Sequence, residues 1–162
     1  MMNGFLRHIL DEGYNVSFSK LSGLEIIQAM IAGTFPRPSI ADTMPMIFGE
    51  ATSGFVKFQA TADERHLNPM GGVHGGFAAT ILDSVTGCAV HTMLEAGAGY
   101  GTVDLTVKML KPIPLHTELI AEGKVIHISK SIGVAEGTLK TVEGALLAHA
   151  TATCWLKRAL TI

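Results

Sequence analysis

Asn68-Pro69-Met70-Gly71-Gly72-Val73-His74-Gly75-Gly76, running into Phe77-Ala78-Ala79-Thr80-Ile81-Leu82-Asp83, decides how this chain is read. A polar, glycine-dense loop feeds an apolar segment, Gly76 to about Leu94, in which Asp83 is the lone charged side chain. Phe77, Ile81, Val85 and Ala89 recur at four-residue spacing, with Ala78, Leu82, Thr86 and Val90 beside them. The run is too long for a strand, so it predicts a helix, apolar nearly all round and therefore buried. Gly87, Cys88 and Ala89 keep its second half thin enough for a sheet to pack closely, and Gly97-Ala98-Gly99 supplies left-handed residues to end it. Unpaired N–H groups of Gly75 and Gly76 would stand at the positive end of the helix dipole, with no Cβ in the way, which is an oxyanion site in outline. The same residues also admit a plain turn at the glycines, a helix-entry role for His74, and an Asp83 carboxyl bonded only to neighbouring backbone.

Outward from this stretch the period changes. Towards the N-terminus, Phe5, Leu6, Ile9 and Leu10 predict one helix ending near Gly13, and Ser22 caps a second through Leu24, Ile27 and Ile31 that stops at Gly33. Phe35-Pro36-Arg37-Pro38-Ser39 is a stiff connector that covers one edge of a cleft in this reading. Met46 to Glu50 and Phe55 to Thr61 form a hairpin about Ser53-Gly54, with Val56, Phe58 and Ala60 on one face. Beyond the helix come strands at Tyr100–Leu110, Glu118–Ser129, Ser131–Leu139 and Ala145–Leu156, read as a four-strand antiparallel meander. In the first of them Val103, Leu105, Val107 and Met109 alternate with Thr102, Asp104, Thr106 and Lys108. The order gives an α+β fold: one curved antiparallel sheet wrapped around one long helix, with residues 1–40 as an N-terminal helical extension and 41–162 as the main domain.

The 162 residues are 48% hydrophobic and only 16% charged, lean for a soluble monomer, so some apolar surface is expected between subunits. A formal net charge of −2 without a Lys/Arg cluster argues against nucleic acid. Cys88 and Cys154 lie in apolar segments without ligand spacing and read as free thiols in a reducing compartment, and the seven histidines form no metal-ligand pair. With no signal-like N-terminus and no uninterrupted membrane-length segment, a cytoplasmic protein is expected.

The pattern Asn68-Pro69-x-Gly71-x-x-His74-Gly75-Gly76 followed by Leu82-Asp83 resembles the signature of hotdog-fold acyl-CoA thioesterases of the phenylacetate-pathway, PaaI-like, type. The similarity runs from about Gly23 to Trp155 and includes Gly101-Thr102-Val103-Asp104-Leu105, Leu110-Lys111-Pro112 and Ala148-His149-Ala150-Thr151-Ala152. The resemblance implies a homodimer or a dimer of dimers, an acyl-CoA substrate, and hydrolysis to free acid and CoA without metal or other cofactor. It implies Gly75 N–H and the Asn68 side chain as donors to the thioester carbonyl, Asp83 as nucleophile or general base, and Thr102 as a hydroxyl that helps place the water. Some relatives carry Ser where this chain has Thr102, and other hotdog branches have Glu in place of Asp83.

Helix geometry adds a constraint. Asp83 lies eight residues beyond Gly75, about 12 Å along a common helix axis at 1.5 Å per residue, so one chain cannot bring both to one thioester carbon. The expected site is composite, with Asn68 and Gly75 of one subunit facing Asp83 and Thr102 of its partner. His74 reads as a loop-shaping residue whose ring bonds a backbone carbonyl, ahead of acid catalysis. For the CoA phosphates, Lys111, Pro112, Ser129, Lys130 and Ser131 stand near strand ends, and Arg65 precedes the loop. Phe35, Phe48, Phe77, Met93 and Tyr100 are the residues that could line an acyl pocket. Two other readings fit the architecture: an acyl-thioester dehydratase or hydratase pairing His74 with Asp83, and a non-catalytic acyl-CoA-binding protein.

Overall fold

A computed structural model describes residues 20–158. The expected helix around Phe5–Leu10 lies outside these residues. The described chain begins with α1 (Gly23–Ile31), whose N-terminus is closed by a reciprocal cap. The Ser22 hydroxyl accepts the Glu25 N–H at 3.4 Å, and the Glu25 carboxylate takes the Ser22 N–H at 2.8 Å. The connector then leads through the short helix α2 (Ile40–Thr43) into the hairpin β1 (Met46–Thr52) and β2 (Phe55–Ala60). After a single 3₁₀ turn at Glu64–His66 comes α3 (Gly75–His91), followed by β3 (Gly99–Met109), β4 (Leu119–Ile128), β5 (Ile132–Thr141) and β6 (Leu146–Lys157).

The six strands form one antiparallel sheet in the order β1-β2-β4-β5-β6-β3. Helix α3 touches every strand from β2 to β6, so the sheet wraps around it as the element order predicts. Phe77, Ala78, Ile81, Leu82, Val85 and Ala89 of α3 meet Val56, Phe58, Leu119, Ala121 and Leu139 of the sheet, all at most 1% exposed. Each large side chain so buried contributes about 1.5–3 kcal/mol. Close approach is needed at Gly87, where any Cβ would sit 2.6 Å from the Tyr100 ring. Ile27 of α1 joins the same core, which ties the N-terminal extension to the main body.

Two expectations are corrected. The meander holds only for β4, β5 and β6; β3 lies beyond β6, so the Leu110–Glu118 connection crosses to the far side of the sheet. The helix ends at His91 with Thr92 as its cap, five residues before the positive-φ Gly97. Thr92 Oγ1 donates to Ala89 O at 2.6 Å and accepts the Gly54 N–H at 2.8 Å, so a tertiary contact stops the helix before the glycines are reached.

Strand β3 also departs from simple alternation. Thr102 is opposite Cys154 but Asp104 is opposite Thr153, leaving Val103 as an extra, bulged residue that is 65% exposed. The bulge reverses the facing of the strand at that point. Tyr100 and Thr102 on one side of it, and Leu105 and Val107 on the other, all turn towards α3.

Candidate active site

The loop before α3 is built by Asn68. Its Oδ1 accepts the N–H groups of Met70 at 2.9 Å and Gly72 at 3.2 Å, while its backbone N–H reaches Gly72 O at 2.8 Å. With the amide oxygen committed, the Nδ2 end is the side chain's available donor. His74 caps the helix: its Nδ1 accepts the Gly76 N–H at 2.8 Å. The ring thus caps the helix, and its partner is an N–H where a carbonyl was expected. The same bond corrects the expectation of two open donors, because Gly76 N–H is taken and only Gly75 N–H lacks an acceptor among the described residues.

Beneath the loop lies His66, 6% exposed and edge-on to Phe77 at 4.9 Å between ring centres. Its Nδ1 accepts the Asp63 N–H at 3.0 Å and its Nε2 meets Thr43 O at 2.8 Å, while its carbonyl takes the His74 N–H at 2.8 Å. One buried ring thus joins α2 to the start of α3. Nothing in the sequence pattern singled it out. Gly75 opens onto a cavity of about 310 Å³ shared with Met109, Lys111 and Pro112, and the Met109 sulfur occupies the space a Cβ at position 75 would need.

Asp83 faces a different cavity, about 240 Å³, lined by Ser84, Cys88, Tyr100 and Thr102 together with Pro38, Ile40, Met46 and Phe48. Its Oδ1 is buried and has no hydrogen-bond partner among the described residues. An orphaned carboxyl oxygen costs about 1–3 kcal/mol or more in desolvation, a cost a folded chain carries where the group has another use. The Tyr100 ring and the Cys88 thiol stand together in the lining of this cavity. Burial pushes that thiol up to about 12, with the charge of Asp83 adding to it, and burial likewise raises Tyr100 well above its usual value. Both shifts favour the protonated forms of the thiol and the phenol. Thr102 Oγ1 lies 3.9 Å from Cys154 Sγ on the helix-facing side of β3, where the bulge puts it.

The structure thus groups Asn68, His74 and Gly75 at the helix entrance and Asp83 with Thr102 two turns on, and keeps the two groups in separate cavities. The CoA-phosphate residues divide as well. Lys111 and Pro112 line the Gly75 cavity, whereas Ser129, Lys130 and Ser131 turn over beyond the other end of α3, where Arg158 donates to Ser129 O and Lys130 O. Arg65 is occupied by Asp63 at 2.7 Å, and that guanidinium holds the Asp63 carboxyl far below the usual carboxylate range. Of the aromatic and Met residues expected near an acyl group, Phe48 and Tyr100 line the Asp83 cavity. Phe35 and Phe77 are core, and Met93 belongs to a groove with Gly54 and Val125. Among the described residues no group of three or more His, Cys, Asp or Glu is placed to hold a metal, and no helix is long and apolar enough to cross a membrane.

Residues 70–148, which hold the glycine turn, α3 and β3 to β5, match the model of the Thioesterase superfamily. A solved structure of a phenylacetic acid degradation-related protein from Ralstonia eutropha JMP134 superimposes with a TM-score of 0.73 at 30% identity, covering 80% of this chain and 98% of that one. The chain belongs to the thioesterase superfamily. Its fold is the hotdog fold, of the PaaI type. Protein VNG_1336C of Halobacterium salinarum is 40% identical over 97 residues, 57% of this chain and 63% of that protein. Mouse acyl-coenzyme A thioesterase 13 is 29% identical over 73 residues, 45% of this chain and 51% of the mouse protein. The chain therefore spans between half and two thirds of the length of these two relatives.

Proposed function

We propose that this thioesterase-superfamily chain hydrolyses an acyl-CoA thioester to a free acid and CoA, in a site made by two copies of the chain. The observation that carries the reading is the buried, unpartnered Asp83 carboxyl oxygen beside Thr102, on the same helix as an unpaired Gly75 N–H but about two turns from it. Each half is incomplete alone. Helix α3 and strand β3 run antiparallel, since Gly75 meets Met109 and Gly87 meets Tyr100. A two-fold axis that pairs the free edges of two β3 strands sets the Met109 end of one beside the Thr102 end of the other. Gly75 and Asn68 of one subunit are thereby brought towards Asp83 of its partner.

In the proposed step the thioester oxygen lies between Asn68 Nδ2 and Gly75 N–H, which stabilise the charge that develops on it. Asp83 either removes a proton from a water held near Thr102, whose oxygen then bonds to the carbonyl carbon, or attacks that carbon itself to give a mixed anhydride that a water then hydrolyses to the free acid, regenerating the carboxylate; in both cases the C–S bond breaks and the electron pair leaves with the CoA sulfur. A thiolate needs little acid assistance to depart, because thiols are far stronger acids than alcohols. The chemistry as proposed uses no metal or cofactor. Lys111 and Pro112, beside Gly75, are the residues assigned to the pantetheine and phosphate end, with Ser129, Lys130 and Ser131 available only through a further subunit. A protein working on CoA esters fits a cytoplasmic setting.

The test is CoA release measured with a thiol reagent. Asp83→Asn is expected to lower kcat by on the order of 10² to 10⁴ with folding intact by circular dichroism. Near-wild-type turnover by that variant would overturn the assignment of Asp83. Double-bond formation without thiol release would favour a dehydratase or hydratase, and tight acyl-CoA binding without turnover a sensor.

A further inference from the structure

We propose that the Asp83 cavity holds the acyl chain, and that Cys88 and the strap Pro38–Ile40 set how long that chain can be. The proposal deepens the hydrolase reading and rests on it. From Asp83 to Cys88 is five residues of α3, about 7.5 Å along the axis at 1.5 Å per residue. A zigzag hydrocarbon with bonds of about 1.5 Å advances roughly 1.3 Å per carbon, so a straight chain starting at Asp83 reaches the Cys88 sulfur after about six carbons. That end of the cavity is firm. Tyr100 is pressed against Gly87 beside the Cys88 thiol, and its ring cannot be displaced without opening the helix–sheet contact.

The opposite wall comes from the proline-stiffened connector. Pro38 and Ile40 line the cavity with Phe48 of β1 below them. The strap is fixed on both sides: Phe35 is 2% exposed and Ala41 4%, and the Ala41 N–H donates to Pro38 O at 2.9 Å. The buried His66 ring holds Thr43 O at its far end. A wall anchored at three points closes on a chain of defined length instead of yielding to any chain. The occupant that fits is a straight acyl group of about six to eight carbons, apolar along its length.

The experiment is kcat/KM for CoA release across butyryl, hexanoyl, octanoyl, decanoyl and palmitoyl CoA, with wild type, Ile40→Trp and Cys88→Ala. Wild type should gain about fourfold per added methylene up to six to eight carbons and then fall, as expected when each buried CH₂ contributes about a fixed increment. Ile40→Trp should move the fall at least two carbons shorter, and Cys88→Ala should move it longer. Ile40 is 42% exposed, so its replacement spares the core even if Cys88→Ala lowers stability. Palmitoyl CoA turned over as fast as hexanoyl CoA by wild type, or a profile unmoved in both variants, would overturn the cavity assignment while leaving the hydrolase reading intact. If no CoA ester releases thiol, the hydrolase reading fails and the length limit fails with it.

Discussion

The two edges of the sheet are finished in opposite ways. Strand β1 is seven residues long, carries a bulge between Phe48 and Glu50, and is covered by α1, whose Gln28 Nε2 donates to Ala51 O at 3.3 Å. Strand β3 is eleven residues long, bonds only β6 among the described residues, and leaves Val103 65% and Met109 56% exposed. Short, kinked and covered edges resist pairing, while a long bare apolar edge invites it. Both half-sites, Gly75 with Met109 and Asp83 with Thr102, lie along the bare edge. In the proposed dimer the uncovered edge and the divided site are one feature, since a partner that covers the first would complete the second.

The comparison breaks most visibly under matched charge substitutions. Val103→Lys on β3 should shift the protein towards monomer in sedimentation and cost turnover on the order of 10², the scale of losing alignment between reacting groups. Ile47→Lys, on a β1 residue 58% exposed, should change neither assembly nor rate and should move stability by no more than about 0.5 kcal/mol. Equal effects at the two edges would end the distinction. A smaller effect sharpens it. Co-expression of an Asp83→Asn chain with an Asn68→Ala chain gives mixed dimers with one intact site of two, so random pairing should return about a quarter of wild-type activity. No recovery would mean that each chain holds its site alone.

The smallest expected effect concerns pH. The Cys88 thiol is raised by burial from its ordinary 9.0 to about 12, so between those values the unfolded chain gives up a proton that the folded chain keeps. Stability is then full below pH 9 and declines as pH rises towards 12. Burial also lowers the pKa of His91, which works in the other direction: stability declines as pH falls below the usual histidine range. Thermal unfolding across pH 5 to 11 should therefore show a plateau near neutrality, with a shallower alkaline slope in Cys88→Ala.

Local periodicity carried much of the fold. The spacing of Phe77, Ile81 and Val85 specifies α3, and the Ser22–Glu25 pair specifies the start of α1, because both depend on residues within a turn or two of each other. The placing of β3 against β6 was not legible, since alternation says which face a strand buries but not which strand lies beside it. The bulge at Val103 was hidden for the same reason: the alternation through Leu105, Val107 and Met109 runs on as if unbroken, and Thr102 was assigned to the polar side of the strand. At the site, the separation of Gly75 from Asp83 followed from helix rise alone. The loss of Gly76 N–H to His74 and the seating of Met109 on Gly75 did not, because both are set by where side chains turn once the chain has folded.

That single extra residue in β3 acts as a half-turn in the strand. Drawing Val103 into the ladder opposite Cys154 would leave Leu105 and Val107 where they are and rotate everything before them, so Tyr100 and Thr102 would swing out to solvent and Gly101 would take their place against the helix. Ironing out that bulge would thus empty the floor of the Asp83 cavity and strip Asp83 of its neighbouring hydroxyl, while the sheet kept its strand count and most of its core.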